Sequence, residues 1–260
     1  MRILNNLQLR ELFHLEFLRW LSKKLRPVYY VLKGGVNMRF FFNSFRYSED
    51  MYLDIGSIKI VRFQDLVMDI LKDNEFENSF KPFGVEEVIP PDITEAKQTK
   101  TTQRFKVHLL TASGEDLFTK VECSRRGFDK NKTVEPVSEK ILRTYKTAPV
   151  LASHYGAVST CKQKINALAK RNIIQARDIF DLYILNTQID LEDLKNKVEL
   201  PENKYIKTAY DNIFTVNYCQ FRDSVLSYLS DEEQQVYSRE ESWDEIKLKV
   251  ANLIEELLNE

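Results

Sequence analysis

The sequence predicts an α+β protein with a mixed N-terminal lobe and a helical C-terminal lobe. Three observations predict it. An amphipathic helix opens the chain, short apolar strands then alternate with helices, and from about Val158 onward the pattern is nearly all helical. The lobes are expected over residues 1–148 and 149–260, with the boundary near 145–155.

Residues 5–25 place Leu9, Leu12, Phe13, Phe17 and Trp20 at helical spacing, and Pro27 closes that helix. Val28 to Leu32 is a short β-branched and aromatic run, expected as a buried strand that stops at Lys33-Gly34-Gly35. A helix is expected over 36–43, a strand over 51–58 and a helix over 62–73. The polar stretch from Val88 to Thr102, with Pro90-Pro91, reads as a loop. Residues 103–110 and 117–123 alternate like paired strands around Ser113-Gly114, a hairpin signal. Helices are expected over 160–171, 177–187, 203–229 and 242–258.

Composition excludes several classes. Apolar residues make up 43 % and charged residues 30 %, as in ordinary globular proteins. No apolar run approaches the ~20 residues of a bilayer span, so no membrane partner is expected. The N-terminus has no signal-peptide pattern, and Cys123, Cys161 and Cys219 have no metal-ligand spacing. Both features point to a cytoplasmic protein with reduced thiols. Net charge is −1, yet residues 120–146 carry eight Lys/Arg against four Asp/Glu, and the first 30 residues carry six against two. From Asp231 to Glu260 the balance reverses, with ten acidic residues against three basic. A local basic face suits phosphates or an acidic partner, although a solvated surface reads the same way.

Four segments carry candidate chemistry. In Leu32-Lys33-Gly34-Gly35, a strand ending in two glycines opens a helix, whose free N–H groups suit a phosphate. Taken alone, such a pair is more often a tight turn. In Arg46-Tyr47-Ser48-Glu49-Asp50-Met51-Tyr52-Leu53-Asp54, strand alternation turns Met51, Leu53 and Ile55 to the core and Asp50, Tyr52 and Asp54 to the other face. Acidic residues beside a phosphate cradle suit Mg²⁺-dependent phosphoryl or nucleotidyl transfer. Glu122, between Val121 and Cys123, also leaves the core face and is a second candidate carboxylate. Finally, Lys164, Leu168 and Arg171 share one helical stripe whose two cations suit a triphosphate, and Arg177 and Asp181, four apart, are expected to pair.

These segments, in this order, resemble the AbiEii-like nucleotidyltransferases, the toxin components of type IV toxin–antitoxin pairs. That family carries a Leu-Lys-Gly-Gly turn, an Arg-x-Ser-x-Asp strand, a Lys-x-x-Ala-Leu-x-x-Arg helix and then Arg-Asp-x-x-Asp-Leu. All four occur here, and the resemblance spans roughly residues 8–190. It implies a polymerase-β-like minimal nucleotidyltransferase lobe joined to a helical lobe that contributes to the active cleft. It implies Mg²⁺-dependent transfer of a nucleoside monophosphate from a nucleoside triphosphate to an RNA (tRNA-like) or protein acceptor, and a cognate antitoxin as partner.

Carried onto this chain, the resemblance has Gly34 and Gly35 cradle the triphosphate and Asp50 bind metal. Lys164 contacts phosphate with Arg171 beside it, and Asp178 sits in the active cleft and helps deprotonate the acceptor. Arg39, Arg46 and Ser48 support the site, Ser48 on its nucleotide side. One departure stands out: the family's Asp-x-Asp is here Asp50-Met51-Tyr52. Asp54 cannot replace the missing ligand, since strand residues four apart lie ~13 Å apart and paired metals only ~4 Å apart. Glu122 is the better substitute as metal ligand and catalytic carboxylate. The other reading is a degenerate protein that keeps nucleotide binding without turnover.

Overall fold

The computed structural model describes residues 4–128, 131–197 and 199–258. Asp129 and Lys130 of the basic stretch, Arg2 of the basic N-terminus and Glu260 of the acidic tail lie outside the described residues. The chain divides into two compact units. The first comprises the residues up to Phe41 together with Tyr47–Tyr155, and the second Phe42–Arg46 together with the residues from Gly156 onward.

In the first unit, helix α1 (Asn6–Lys24) starts at a capping box, in which the Asn5 side chain accepts from Gln8 N–H and the Gln8 side chain accepts from Asn5 N–H. Lys23 and Lys24 in its last turn complement the helix dipole. Strand β1 (Tyr30–Lys33) leads directly into α2 (Gly34–Phe41), followed by β2 (Asp50–Ile55), α3 (Ile60–Leu71) and the short α4 (Asn74–Asn78). Then come β3 (Val85–Ile89), β4 (Thr102–Thr111), β5 (Asp116–Ser124), β6 (Lys132–Pro136), α5 (Glu139–Tyr145) and β7 (Leu151–Tyr155).

The strands form one mixed sheet in the order β3-β4-β5-β2-β1-β7-β6. β2 runs antiparallel to β1 and parallel to β5, so Asp50 faces Lys120 and Tyr52 faces both Lys33 and Glu122. Met51, Leu53, Ile55, Val121, Cys123 and Phe105 are buried on the core side. There Phe13 of α1 meets Phe17, Phe76 and Phe80, with ring centroids 6.0 to 6.2 Å apart.

Several elements differ from the expectation. β2 stops at Ile55 rather than Ile58, and Val28 and Tyr29 belong to a 3₁₀ turn that starts at Pro27. The expected loop from Val88 overlaps β3, whose pairing with β4 is irregular between Val85 and Glu87; the irregularity breaks the alternation that would reveal a strand. β6 is largely exposed, and β7 buries Ser153 and His154, so neither has an apolar alternating pattern.

The second unit is helical: α6 (Ala157–Lys170), α7 (Ala176–Leu185), α8 (Leu191–Lys197), α9 (Asn203–Ile213), α10 (Tyr218–Ser224), α11 (Asp231–Tyr237) and α12 (Glu240–Leu258). The single helix expected over 203–229 is two helices and a 3₁₀ turn. Asn217 starts the second with its own capping box to Gln220, which sets a new helix axis. Trp243 is buried, stacks on Phe221 at 4.5 Å and donates its indole N–H to Val216 O at 3.0 Å. Phe180 packs edge-on to Phe45 and Tyr237. No helix among the described residues is long and apolar enough to cross a membrane.

Candidate active site

In the first unit the candidate groups gather on the sheet face opposite the core. Gly34 closes β1 with φ of +74°, a left-handed conformation that suits glycine. A Cβ on Gly34 would lie 3.4 Å from Tyr52 Cδ2, so the turn rests on the tyrosine ring. The next residue, Gly35, continues the first turn of α2, which contains no acidic side chain. Backbone N–H groups at such a helix start lack intrahelical acceptors and favour an anion.

Asp50 opens β2. Lys120 Nζ lies 3.0 Å from its Oδ2, and the Tyr52 hydroxyl donates to the same oxygen at 3.2 Å. Ser48 donates to the Asp50 carbonyl at 2.9 Å, bracing the start of the strand rather than pointing to a ligand of its own. Burial by itself would lower the Lys120 pKa. The hydrogen bond to Asp50, with Tyr52, the Asp50 charge and Glu122, outweighs it and holds the ammonium above its ordinary value.

Glu122 stands beside Tyr52 in the sheet and accepts from Arg104 Nε at 2.7 Å. Asp54 is buried, accepting from Lys33 Nζ and from the Tyr155 hydroxyl, the latter at 2.7 Å. Its role is structural, in line with its distance along the strand from Asp50.

Arg39 sits elsewhere in this unit. It pairs with buried Glu11 of α1, which also accepts from the Tyr145 hydroxyl at 2.6 Å, and its guanidinium lies 4.3 Å from the centre of the Tyr47 ring. Arg39 thus ties α2 to α1.

The second unit holds its own ion cluster. Lys164 Nζ lies 2.9 Å from Asp178 Oδ1 and also pairs with Asp181 Oδ2. Arg171 pairs with Asp178 Oδ2, and Arg46 donates to both oxygens of Asp181 at 3.2 and 3.4 Å. Three cations against two carboxylates leave a net charge of +1. The expected Arg177–Asp181 pair does not form; Asp181 is fully buried and taken by Lys164 and Arg46 instead. Burial alone would raise the Asp181 pKa, but Lys164 and then Arg46 hold it below its ordinary value. Asp178 is buried with a cation on each oxygen, which suits it to positioning Lys164 and Arg171.

A resident divalent ion fits these groups poorly. Mg²⁺ needs near-octahedral oxygen ligands at about 2.0–2.1 Å. Asp50 Oδ2 is already bonded to Lys120 and Tyr52, and Glu122 is held by Arg104. Among the described residues no group of three His, Cys, Asp or Glu side chains could hold a metal ion. The expectation that Asp50 and Glu122 share a metal therefore does not match the arrangement: each carboxylate is engaged by a cation of its own.

Sequence reasoning missed Lys120, Lys33, Arg104 and Tyr155 as partners of the acidic residues. For Lys120 the signal was the alternation of 120 with 122, which put it on the Glu122 face. Its pairing with Asp50 depends on a parallel register that local sequence does not encode.

Three solved structures are similar to this chain. JHP933 from Helicobacter pylori is 18% identical, with 99% of this chain and 95% of that chain covered and a TM-score of 0.56. A nucleotidyltransferase solved from H. pylori under a provisional assignment is 21% identical, with 96% and 94% covered and a TM-score of 0.57. MenT4, a nucleotidyltransferase toxin from Mycobacterium tuberculosis H37Rv, is 12% identical, with 97% and 92% covered and a TM-score of 0.61. At these identities the likeness is one of fold. No curated protein matches the chain. The family model described as the nucleotidyl transferase AbiEii toxin of type IV toxin–antitoxin systems matches residues 17–247. The chain therefore belongs to the AbiEii family of toxin nucleotidyltransferases.

Proposed function

We propose that this nucleotidyltransferase moves a nucleoside monophosphate from a nucleoside triphosphate to an RNA (tRNA-like) or protein acceptor. We further propose that it acts in the cytoplasm as the toxin of a type IV pair, with a cognate antitoxin. The observation that carries the reading is the meeting of the Gly34 turn with Asp50, Tyr52 and Lys120 on one sheet face.

An acceptor oxygen attacks the α-phosphorus, forming an O–P bond. The bond from the α-phosphorus to the bridging oxygen breaks, and pyrophosphate leaves with its electron pair. The acceptor proton passes to solvent. The chain's own contribution is position and charge. Backbone N–H groups at Gly34 and Gly35 meet the phosphates, and Ser48 braces the strand that carries Asp50. Mg²⁺ enters as part of the substrate, carried on the triphosphate, because Asp50 and Glu122 are both matched by cations. In the helical unit, taken by itself, the net-positive cluster of Lys164, Arg171 and Arg46 suits an anion, with Asp178 orienting the first two.

The test is incubation of the full chain with labelled nucleoside triphosphates, Mg²⁺ and total cell extract. Label should pass to RNA or protein, and Asp50→Ala should abolish it; equal labelling by the variant would defeat the assignment. A second reading, a degenerate protein that binds nucleotide without turnover, is favoured by the contacts of Tyr52 and Lys120 with Asp50. Tight nucleotide binding in calorimetry with no label transfer would select it.

A further inference from the structure

On the candidate face three carboxylates each have a protein cation: Asp50 with Lys120, Glu122 with Arg104 and Asp54 with Lys33. The first pair differs from an ordinary surface ion pair. Asp50 and Lys120 are direct register partners on neighbouring parallel strands, so the sheet itself brings them together. Their side chains are 17% and 23% exposed, and Tyr52 adds a hydroxyl to the same carboxylate oxygen while its ring lies 6.0 Å from the ammonium. Tyr52 also lies under the Gly34 turn. The ammonium therefore stands beside Asp50 on the sheet face that also carries the Gly34 turn.

We infer that Lys120 takes the place of a protein-bound divalent cation: its ammonium, oriented by Asp50 and Tyr52, is the positive charge that meets the phosphates of a nucleoside triphosphate. The inference rests on the proposed nucleotide site and names its cation. An ammonium has three N–H donors, so a contact with Asp50 leaves donors for phosphate oxygens. A metal ion entering at Asp50 would face the Lys120 charge at close range. Asp50 on this reading is a positioning residue for Lys120, which explains why a tyrosine is compatible with the position of the second carboxylate.

Two measurements on the full chain test this. In the first, Mn²⁺ alone is titrated into nucleotide-free protein and followed by electron paramagnetic resonance. Wild type and Asp50→Asn should bind Mn²⁺ equally weakly, whereas the double variant Tyr52→Asp/Lys120→Met, which restores Asp-x-Asp and removes the ammonium, should gain a site. Stoichiometric binding by wild type that Asp50→Asn removes would overturn the inference. In the second, binding of non-hydrolysable analogues of the common ribonucleoside triphosphates is measured in EDTA. Lys120→Met should weaken binding about tenfold or more, and Lys120→Arg should retain most of it; a tenfold loss is ~1.4 kcal/mol. Unchanged binding by a Lys120→Met variant whose circular dichroism matches wild type would overturn the inference. If wild type binds no analogue with or without Mg²⁺, the nucleotide site itself fails, and the Mn²⁺ titration still decides whether Lys120 excludes a metal.

Discussion

Tyr52 donates its phenolic hydroxyl to Asp50 Oδ2 at 3.2 Å, from two residues further along the same strand face. A residue that would be a carboxylate in the family pattern is here a hydrogen-bond donor to the remaining carboxylate. The local chemistry changes from two like charges that need a cation to one charge already met by a donor and an ammonium.

Tyr52→Phe removes that donor and keeps the ring beneath Gly34. One hydrogen bond is worth about 0.5–1.5 kcal/mol net, so kcat/KM for label transfer should fall roughly two- to tenfold with the melting temperature nearly unchanged. Steady-state labelling and a thermal scan check this. A complete loss of transfer would mean that the hydroxyl does more than orient Asp50.

Gly34→Ala should be worse than Gly35→Ala. Gly34 holds φ at +74°, a conformation strained for any side chain, whereas Gly35 is not among the residues of positive φ. The left-handed conformation costs a side chain about 1–2 kcal/mol, and a rearranged turn would also weaken nucleotide binding. Urea denaturation and analogue binding on both variants give the comparison; equal effects would show that the turn does not depend on the backbone of Gly34.

Lys164→Met leaves two buried carboxylates each short of a cation. Removing one partner of a buried ion network costs about 3–5 kcal/mol. The double variant Lys164→Met/Asp178→Asn should recover part of the loss, because it removes a carboxylate that has lost one of its two cations. Urea midpoints measure both. A loss below about 1 kcal/mol for the single variant would mean that the cluster behaves like an exposed ion pair.

Stability should fall with acid through His14. Burial, with a smaller contribution from Arg10, lowers its pKa from 6.5 to about 3, against a raising effect from the Glu49 backbone. The folded state holds the ring neutral while the unfolded chain takes up a proton below about pH 6.5. Its contribution is therefore complete above that pH and is lost progressively as pH falls toward 3, at about 1.4 kcal/mol per pH unit at most. Chemical denaturation across pH 7 to about 4 should show this slope, and His14→Gln should flatten it. The ring bonds Thr119 Oγ1 at 3.0 Å, a contact that glutamine can partly replace.

Local patterning in the sequence was sufficient for α1, α2, α3, the β4–β5 hairpin, α6, α7 and α12, because apolar periodicity and turn residues are properties of neighbouring positions. The same alternation placed Met51, Leu53 and Ile55 in the core and Asp50 and Tyr52 away from it. The four motifs, read in order, were enough to point to the family. Strand register, crossovers and ion partners were decided by the tertiary structure alone. Lys120 lies seventy positions from Asp50 and meets it only because β5 pairs parallel to β2, and Arg46 reaches Asp181 across 135 positions. The electrostatic state of a carboxylate depends on charges within a few ångströms, and chain folding, not sequence proximity, selects which charges those are.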